Sequence, residues 1–274
     1  MRFLLEHPGP VGLDDLVRTA EAAHSAGLDG VLVTEWPQLP GALVSAAAVA
    51  ARVPEVLVAA ELAVGERHPV EIAEEVAVTD LTSGGRLVLV ARPAGADPDR
   101  YAESLDVIRH ALAARPFCFE GVHWRVPANL PENVDQPEEQ VRVTPAPAQP
   151  RLEVWGAGTG RDVALDRALG YLAGEADDPA ELARAWAAAE SPAAIGAPRG
   201  RRERWSGAAV LVERLRHGRA LFGQDWAVLA APPEAAAEVG SLVRPRLQLH
   251  RLTPGLEEFW DEERPWERAG RPPR

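Results

Sequence analysis

Residues 56–90 read VLVAAELAVGERHPVEIAEEVAVTDLTSGGRLVLV, and the order of periods within them decides the fold. Val56 to Ala60 is a short apolar run rich in β-branched residues, the pattern of a buried strand. Pro69 stands where a first helical residue belongs, because its fixed φ suits that position and its missing N–H is not needed there. Ile72, Val76 and Leu81 continue one apolar face, and Ser83-Gly84-Gly85 ends the helix. Leu87 to Val90 is apolar again. Two fully apolar strands joined by a helix imply a parallel pair covered on its outer face.

The same rhythm extends in both directions. Arg2 to Glu6 is a short strand stopped by the turn cluster His7-Pro8-Gly9-Pro10. Leu13, Leu16, Val17, Ala20, Ala23 and Leu28 recur at helical spacing, with Asp14 and Asp15 in the first turn and Gly27 as cap. Val31 to Val33 is the second strand, and an alanine-rich helix follows from Gly41 to Arg52. After the fourth strand comes a helix from Tyr101 to Ala114. Residues 116–150 then lose the rhythm and end Thr144-Pro145-Ala146-Pro147-Ala148-Gln149-Pro150, an insertion or lid after the fourth βα unit. Leu152 to Trp155 resumes as a strand, with a helix from Asp162 to Leu169. Beyond Gly174, helices are expected over 180–189 and 234–243, strands over 226–230 and 246–252, and loop over 191–206.

Repeated βα units of this kind predict an α/β fold, a closed (β/α)8 barrel of the TIM type. It forms one domain over residues 1–260, and residues 261–274 form a disordered or partner-contacting tail. An open doubly wound sheet would carry a glycine fingerprint after its first strand, which Glu6-His7-Pro8-Gly9-Pro10 is not.

Length and charge agree with this. The chain has 274 residues, 29 basic and 41 acidic, for a net charge of 29 − 41 = −12. Such a surface repels phosphate backbones and anionic lipid, so nucleic acid and membrane are not expected partners. Cys118 is the lone cysteine, and the seven histidines (7, 24, 68, 110, 123, 217, 250) show no metal-binding pairing. No apolar run approaches the roughly 18 residues of a membrane span. Met1-Arg2 leads into a strand and not a signal peptide, so a cytoplasmic protein is expected.

In a parallel barrel, function collects at the C-terminal ends of the strands. The turn Gly156-Ala157-Gly158-Thr159-Gly160-Arg161 follows the fifth strand. Its glycines let backbone N–H groups approach an anion, the next helix points its positive end there, and Thr159 and Arg161 add a hydroxyl and a charge. Tight packing is the competing reason for glycines in such a turn.

Two segments resemble the luciferase-like monooxygenase family. One is Arg67 to Leu87, similar to that family's HPV…AE…LD…SGGR stretch; the other is Ala26-Gly27-Leu28-Asp29-Gly30-Val31-Leu32-Val33-Thr34-Glu35-Trp36. Shorter echoes lie at 103–108, 119–124 and 149–150, so the likeness covers residues 1–175. It implies reduced FMN as cofactor, supplied by a separate flavin reductase, with oxygen and a small organic substrate. In a related branch it implies hydride transfer by the deazaflavin coenzyme. It also implies a homo- or heterodimer, and a flavin phosphate held at residues 156–161.

The chain departs from the family pattern at several strand exits. Val90 replaces a glycine, and Arg92, a candidate phosphate ligand, is displaced by one position. Where many members carry histidine, this chain reads Glu35-Trp36-Pro37. Trp36 cannot exchange a proton near neutral pH but can wall or stack on a ring; Glu35 can orient a substrate or basic group. His7 is the nearest alternative base. Ala60 stands where members bulge toward the flavin, and Glu61 is a carboxylate that would repel an anionic reduced ring. These departures also suit a family member without cofactor, acting as a partner subunit.

Overall fold

The computed structural model describes residues 1–127, 140–189, 193 and 196–248. Chain order runs β1 (Arg2–Glu6), α1 (Leu13–Ser25), β2 (Gly30–Val33), α2 (Ala42–Arg52), β3 (Leu57–Val64), α3 (Pro69–Ser83), β4 (Leu87–Pro93) and α4 (Pro98–Leu112). A hairpin of β5 (Phe119–Glu120) and β6 (Arg125–Val126) comes next. Then follow β7 (Glu153–Ala157), α5 (Arg161–Asp166), β8 (Gly170–Ala173), α6 (Pro179–Ala188), β9 (Arg199–Arg204), α7 (Ala208–Phe222) and β10 (Trp226–Ala230). Short helical turns continue from Pro233 to Gln248. Every strand but β5 and β6 joins one closed, parallel barrel, in the order β1-β10-β9-β8-β7-β4-β3-β2, and β1 pairs with β2 to close it. The chain is thus the (β/α)8 barrel that its sequence predicts.

Local chemistry sets the helix ends. Pro69, Pro98 and Pro179 each open a helix. Asp97 and Asp178 cap theirs by accepting backbone N–H groups, and His68 Nδ1 accepts from Val70 at 3.3 Å. Gly84, at φ 67°, ends α3 in the left-handed conformation that a side chain disfavours.

Alternation along the strands separates two cores. Phe3, Leu5, Val31, Val33, Val58 and Ala60 face the helices. Leu4, Leu32, Ala59, Val88, Val90, Trp155, Ala157, Leu172, Trp226 and Val228 fill the barrel. Trp155 and Trp226 meet edge to face with centroids 5.0 Å apart. Room for them comes from missing side chains: a Cβ on Gly200 would stand 2.8 Å from Trp155. The barrel is therefore a packed core and not a pore.

Five features differ from expectation. β8 and α7 have no counterpart in the sequence reading. β9 lies in the stretch expected to be loop, because four arginines in six residues hide its period. The strand expected over 246–252 is replaced by a helical turn, Arg244–Gln248, with the later residues outside those described. β3 runs on past Ala60 because the inward Glu61 interrupts the apolar run without ending the ladder.

The segment between α4 and β7 is tied down by polar bonds. Glu103 accepts the backbone N–H groups of Val122, His123 and Trp124, and Gln149 binds the Asp80 carboxylate at 2.8 and 2.7 Å. Residues 128–139 of that segment and the expected tail at 261–274 lie outside the described residues.

Candidate functional site at the barrel mouth

Stepping two residues along alternate strands moves from one interior layer to the next. From Leu4, Ala59, Trp155 and Gly200 this step leads to Glu6, Glu61, Ala157 and Arg202, at the C-terminal end of the barrel. Three of these four are charged, and they meet. Arg202 gives its Nε to Glu6 at 3.2 Å, and its two amino groups to Glu61 at 3.2 and 2.5 Å. Glu6 and Glu61 are buried, whereas a quarter of the Arg202 side chain is exposed. Two carboxylates share one guanidinium, so the ionised layer carries a net negative charge.

Burial pushes the Glu6 carboxyl above its ordinary range; Arg202 pulls it back down and Glu61 pushes it up again. Arg202 loses hydration by the same burial, yet its two carboxylate partners more than compensate, and its pKa is raised. Above the layer, the Thr34 hydroxyl is buried at the exit of β2 and has no hydrogen-bond partner among the described residues.

The turn after β7 serves two purposes. A Cβ on Gly156 would stand 2.8 Å from the Ala164 Cβ, and one on Gly160 would stand 2.8 Å from the Tyr101 ring. Those two glycines are needed for packing. Tyr101 itself is buried, and its hydroxyl donates to the Ala91 carbonyl at 2.9 Å. Burial raises the pKa of this phenol well above its usual range, so it stays neutral. Gly158 is different: φ is +59°, and a Cβ there would meet nothing within 4 Å. Its carbonyl accepts from the Tyr171 hydroxyl at 2.8 Å. Residues 158–160 form a single tight turn before α5, whose first N–H groups have no acceptor within the helix. Thr159 is exposed, and Arg161 pairs with Asp162 at 3.0 Å.

The remaining candidates are scattered around the rim. Arg92 donates to Glu35 at 2.9 Å, reaching across β3 toward β2, on the side of β4 away from the Gly158 turn. Glu35 also accepts the Ala63 N–H at 3.2 Å, so it orients a basic group, Arg92. Trp36 is half-buried beyond the exit of β2 and packs against the core between strands and helices. His7 is half-buried at the exit of β1, its Nδ1 3.1 Å from the Gly9 carbonyl oxygen. Ala60 faces the helices; the residue of β3 that faces the mouth is its neighbour Glu61. β3 and β4 pair one to one from Val58↔Leu87 to Val64↔Pro93, so no bulge turns Ala60 inward.

Two members of the charged layer escaped the sequence reading. Glu6 is within reach, since period two from Leu4 aims it inward. Arg202 is not, because the four arginines of β9 hide the period of its strand.

A model of the luciferase-like monooxygenase family matches residues 3–217, most of the chain and nearly all of the barrel. The chain belongs to this family. Solved structures with the same fold include a monooxygenase from Streptomyces bottropensis, at 16% identity and a TM-score of 0.69, covering 92% of this chain and 100% of that one. Another is the oxygenating constituent of 3,6-diketocamphane monooxygenase from Pseudomonas putida, in complex with FMN. It shares 17% identity over 90% of this chain and 98% of that one, with a TM-score of 0.68. A third is the coenzyme F420 dependent tetrahydromethanopterin reductase of Methanopyrus kandleri, at 13% identity, 89% and 98% coverage and a TM-score of 0.67. No curated protein matches this luciferase-like chain. Among the described residues no cluster of three His, Cys, Asp or Glu side chains could hold a metal ion. No helix there is long and apolar enough to cross a membrane.

Proposed function

We propose that this protein is a flavin-dependent oxidoreductase, a monooxygenase that takes reduced FMN and oxygen to a small organic substrate. The observation that carries the reading is the open, left-handed Gly158, set directly after Ala157 of the charged layer. A phosphate would be held there by the backbone N–H groups of the following turn, with Thr159 and Arg161 beside it. The bound reduced flavin supplies the electrons; the protein's part is position, polarity and exclusion of water. Arg202 is the cation of the mouth, and Glu6 and Glu61 hold it in place. Trp36 and the Glu35–Arg92 pair shape the rim.

The family also makes a reductase partner and a dimer reasonable. Val44 on α2 and Val78 and Leu81 on α3 are exposed apolar side chains on packed neighbouring helices, a surface suited to a second subunit.

Fluorescence titration with FMN and with the deazaflavin coenzyme, each oxidised and reduced, tests the reading. Reduced FMN is expected to bind at micromolar concentration and to lose at least tenfold in affinity in Gly158→Asp, whose carboxylate opposes a phosphate. Preference for the deazaflavin would move the protein to the hydride-transfer branch. If neither binds at millimolar protein, the flavin reading fails and a partner subunit without cofactor replaces it.

A further inference from the structure

The charged layer has an unequal construction that points to a role for one of its members. Glu61 receives two hydrogen bonds from Arg202, one of them at 2.5 Å. Glu6 receives one, at 3.2 Å, from the Nε. The guanidinium is therefore committed mainly to Glu61, and Glu6 is the more weakly compensated carboxylate. It is also buried, in a layer whose ionised charge is already negative by one.

A third anion brought beside Arg202 would meet the repulsion of both carboxylates, in surroundings where water screens poorly. We infer that Glu6 is the proton-accepting group of the mouth: when an anionic ligand ring settles beside Arg202, a proton from solvent binds the Glu6 carboxylate. The step is Glu6–CO2⁻ plus H⁺ giving Glu6–CO2H, with no electrons moved. It leaves Glu61 and Arg202 as a neutral pair, and it gives Glu6 an O–H donor while its carbonyl oxygen still accepts from the Arg202 Nε. This removes the objection that a carboxylate floor repels a reduced isoalloxazine, and it rests on the flavin reading above.

The surroundings of Glu6 leave few other acceptors. β2 and β10 flank β1 and present Leu32 and Val228 to the interior. β3 brings Glu61, and β9 brings Arg202 with Arg204, which pairs with Glu175 at 3.4 Å. The Glu35–Arg92 pair stands at the rim. His7 is adjacent in the chain, next to the Gly9 carbonyl. Burial pushes the Glu6 carboxyl upward, the direction that favours its protonated form.

The test is anaerobic calorimetry of the whole protein with reduced and with oxidised FMN, in two buffers of different ionisation enthalpy. Proton exchange on the FMN phosphate is common to both redox forms, so the difference between them, measured above the pH at which the free reduced ring is already the anion, is the reading. Wild type is expected to take up an excess of about half to one proton with the reduced form, and Glu6→Gln none. The ratio of reduced- to oxidised-FMN affinity should also fall as pH rises in wild type, and fall less in Glu6→Gln. The same proton excess in Glu6→Gln would overturn the inference. If no FMN binds, the flavin reading has failed, and carbon-13 NMR of the ligand-free protein decides this one. A Glu-side-chain resonance titrating above the ordinary range, and lost in Glu6→Gln, supports it; Glu6 titrating at or below that range overturns it.

Discussion

The two halves of the barrel are made of different materials. Across β1 to β4 the interior beneath Glu6 and Glu61 is aliphatic, with Leu4, Leu32, Ala59, Val88 and Val90. Across β7 to β10 it is two indoles meeting edge to face, with Ala157, Leu172 and Val228, glycines that make way for Trp155, and an arginine. The first half would resemble any parallel sheet; the second half depends on partners that lie elsewhere in the chain. Arg202 sits 196 residues from Glu6 and 141 from Glu61. A charged strand is stable here because each charge meets its complement only once the barrel has closed.

If that dependence is real, the largest effect should come from Arg202→Met, which leaves Glu6 and Glu61 buried without their cation. A loss of about 3–5 kcal/mol is expected by urea unfolding, the size found when one member of a buried pair is removed. The sign with pH follows from Glu6. Its folded pKa, already raised, rises further without Arg202, so the carboxyl is a better tolerated neutral acid at low pH. The deficit should therefore shrink from pH 8 to pH 5. A constant deficit would mean that Arg202 acts by packing alone.

Gly200→Ala probes the other dependence of the same half. The new methyl stands 2.8 Å from Trp155 and 3.2 Å from Leu172. Overpacking of this kind costs about 1–3 kcal/mol, and Gly200→Ala with Trp155→Leu should recover part of it. Tyr101→Phe removes the hydroxyl bonded to the Ala91 carbonyl and should cost about 1 kcal/mol, leaving the fold intact. Smallest is Arg92→Ala. Its pair with Glu35 is roughly 40% exposed on both sides, so less than about 1 kcal/mol is expected, vanishing at high salt.

The contrast between halves also explains what could be read from the chain. β1, β2 and β10 were legible because continuous apolar runs between turn residues are the signature of strands buried on both faces. The run Arg199-Gly200-Arg201-Arg202-Glu203-Arg204 has no such signature, yet its alternation is regular. Arg202 faces the interior, while Arg201 and Glu203 face outward and pair with each other at 2.7 Å. Gly200 is small because Trp155 is large, and that relation is invisible before the strands are adjacent. At the site, the glycine turn was recognisable by composition. Its division into two packing glycines and one open glycine was not, since it depends on where Tyr101 and Ala164 stand. Ala60 and Glu61 show the cost of one residue in a strand, where a step of one exchanges the helix side for the mouth.

The most direct measurement of the central claim is hydrogen–deuterium exchange on the intact protein with and without reduced FMN. Slowed exchange is expected at the Gly158 turn, the start of α5 and the C-terminal ends of β1, β3 and β9, and nowhere else. Protection on another face, such as the groove between α1 and residues 233–241, with those segments unchanged, would contradict that claim.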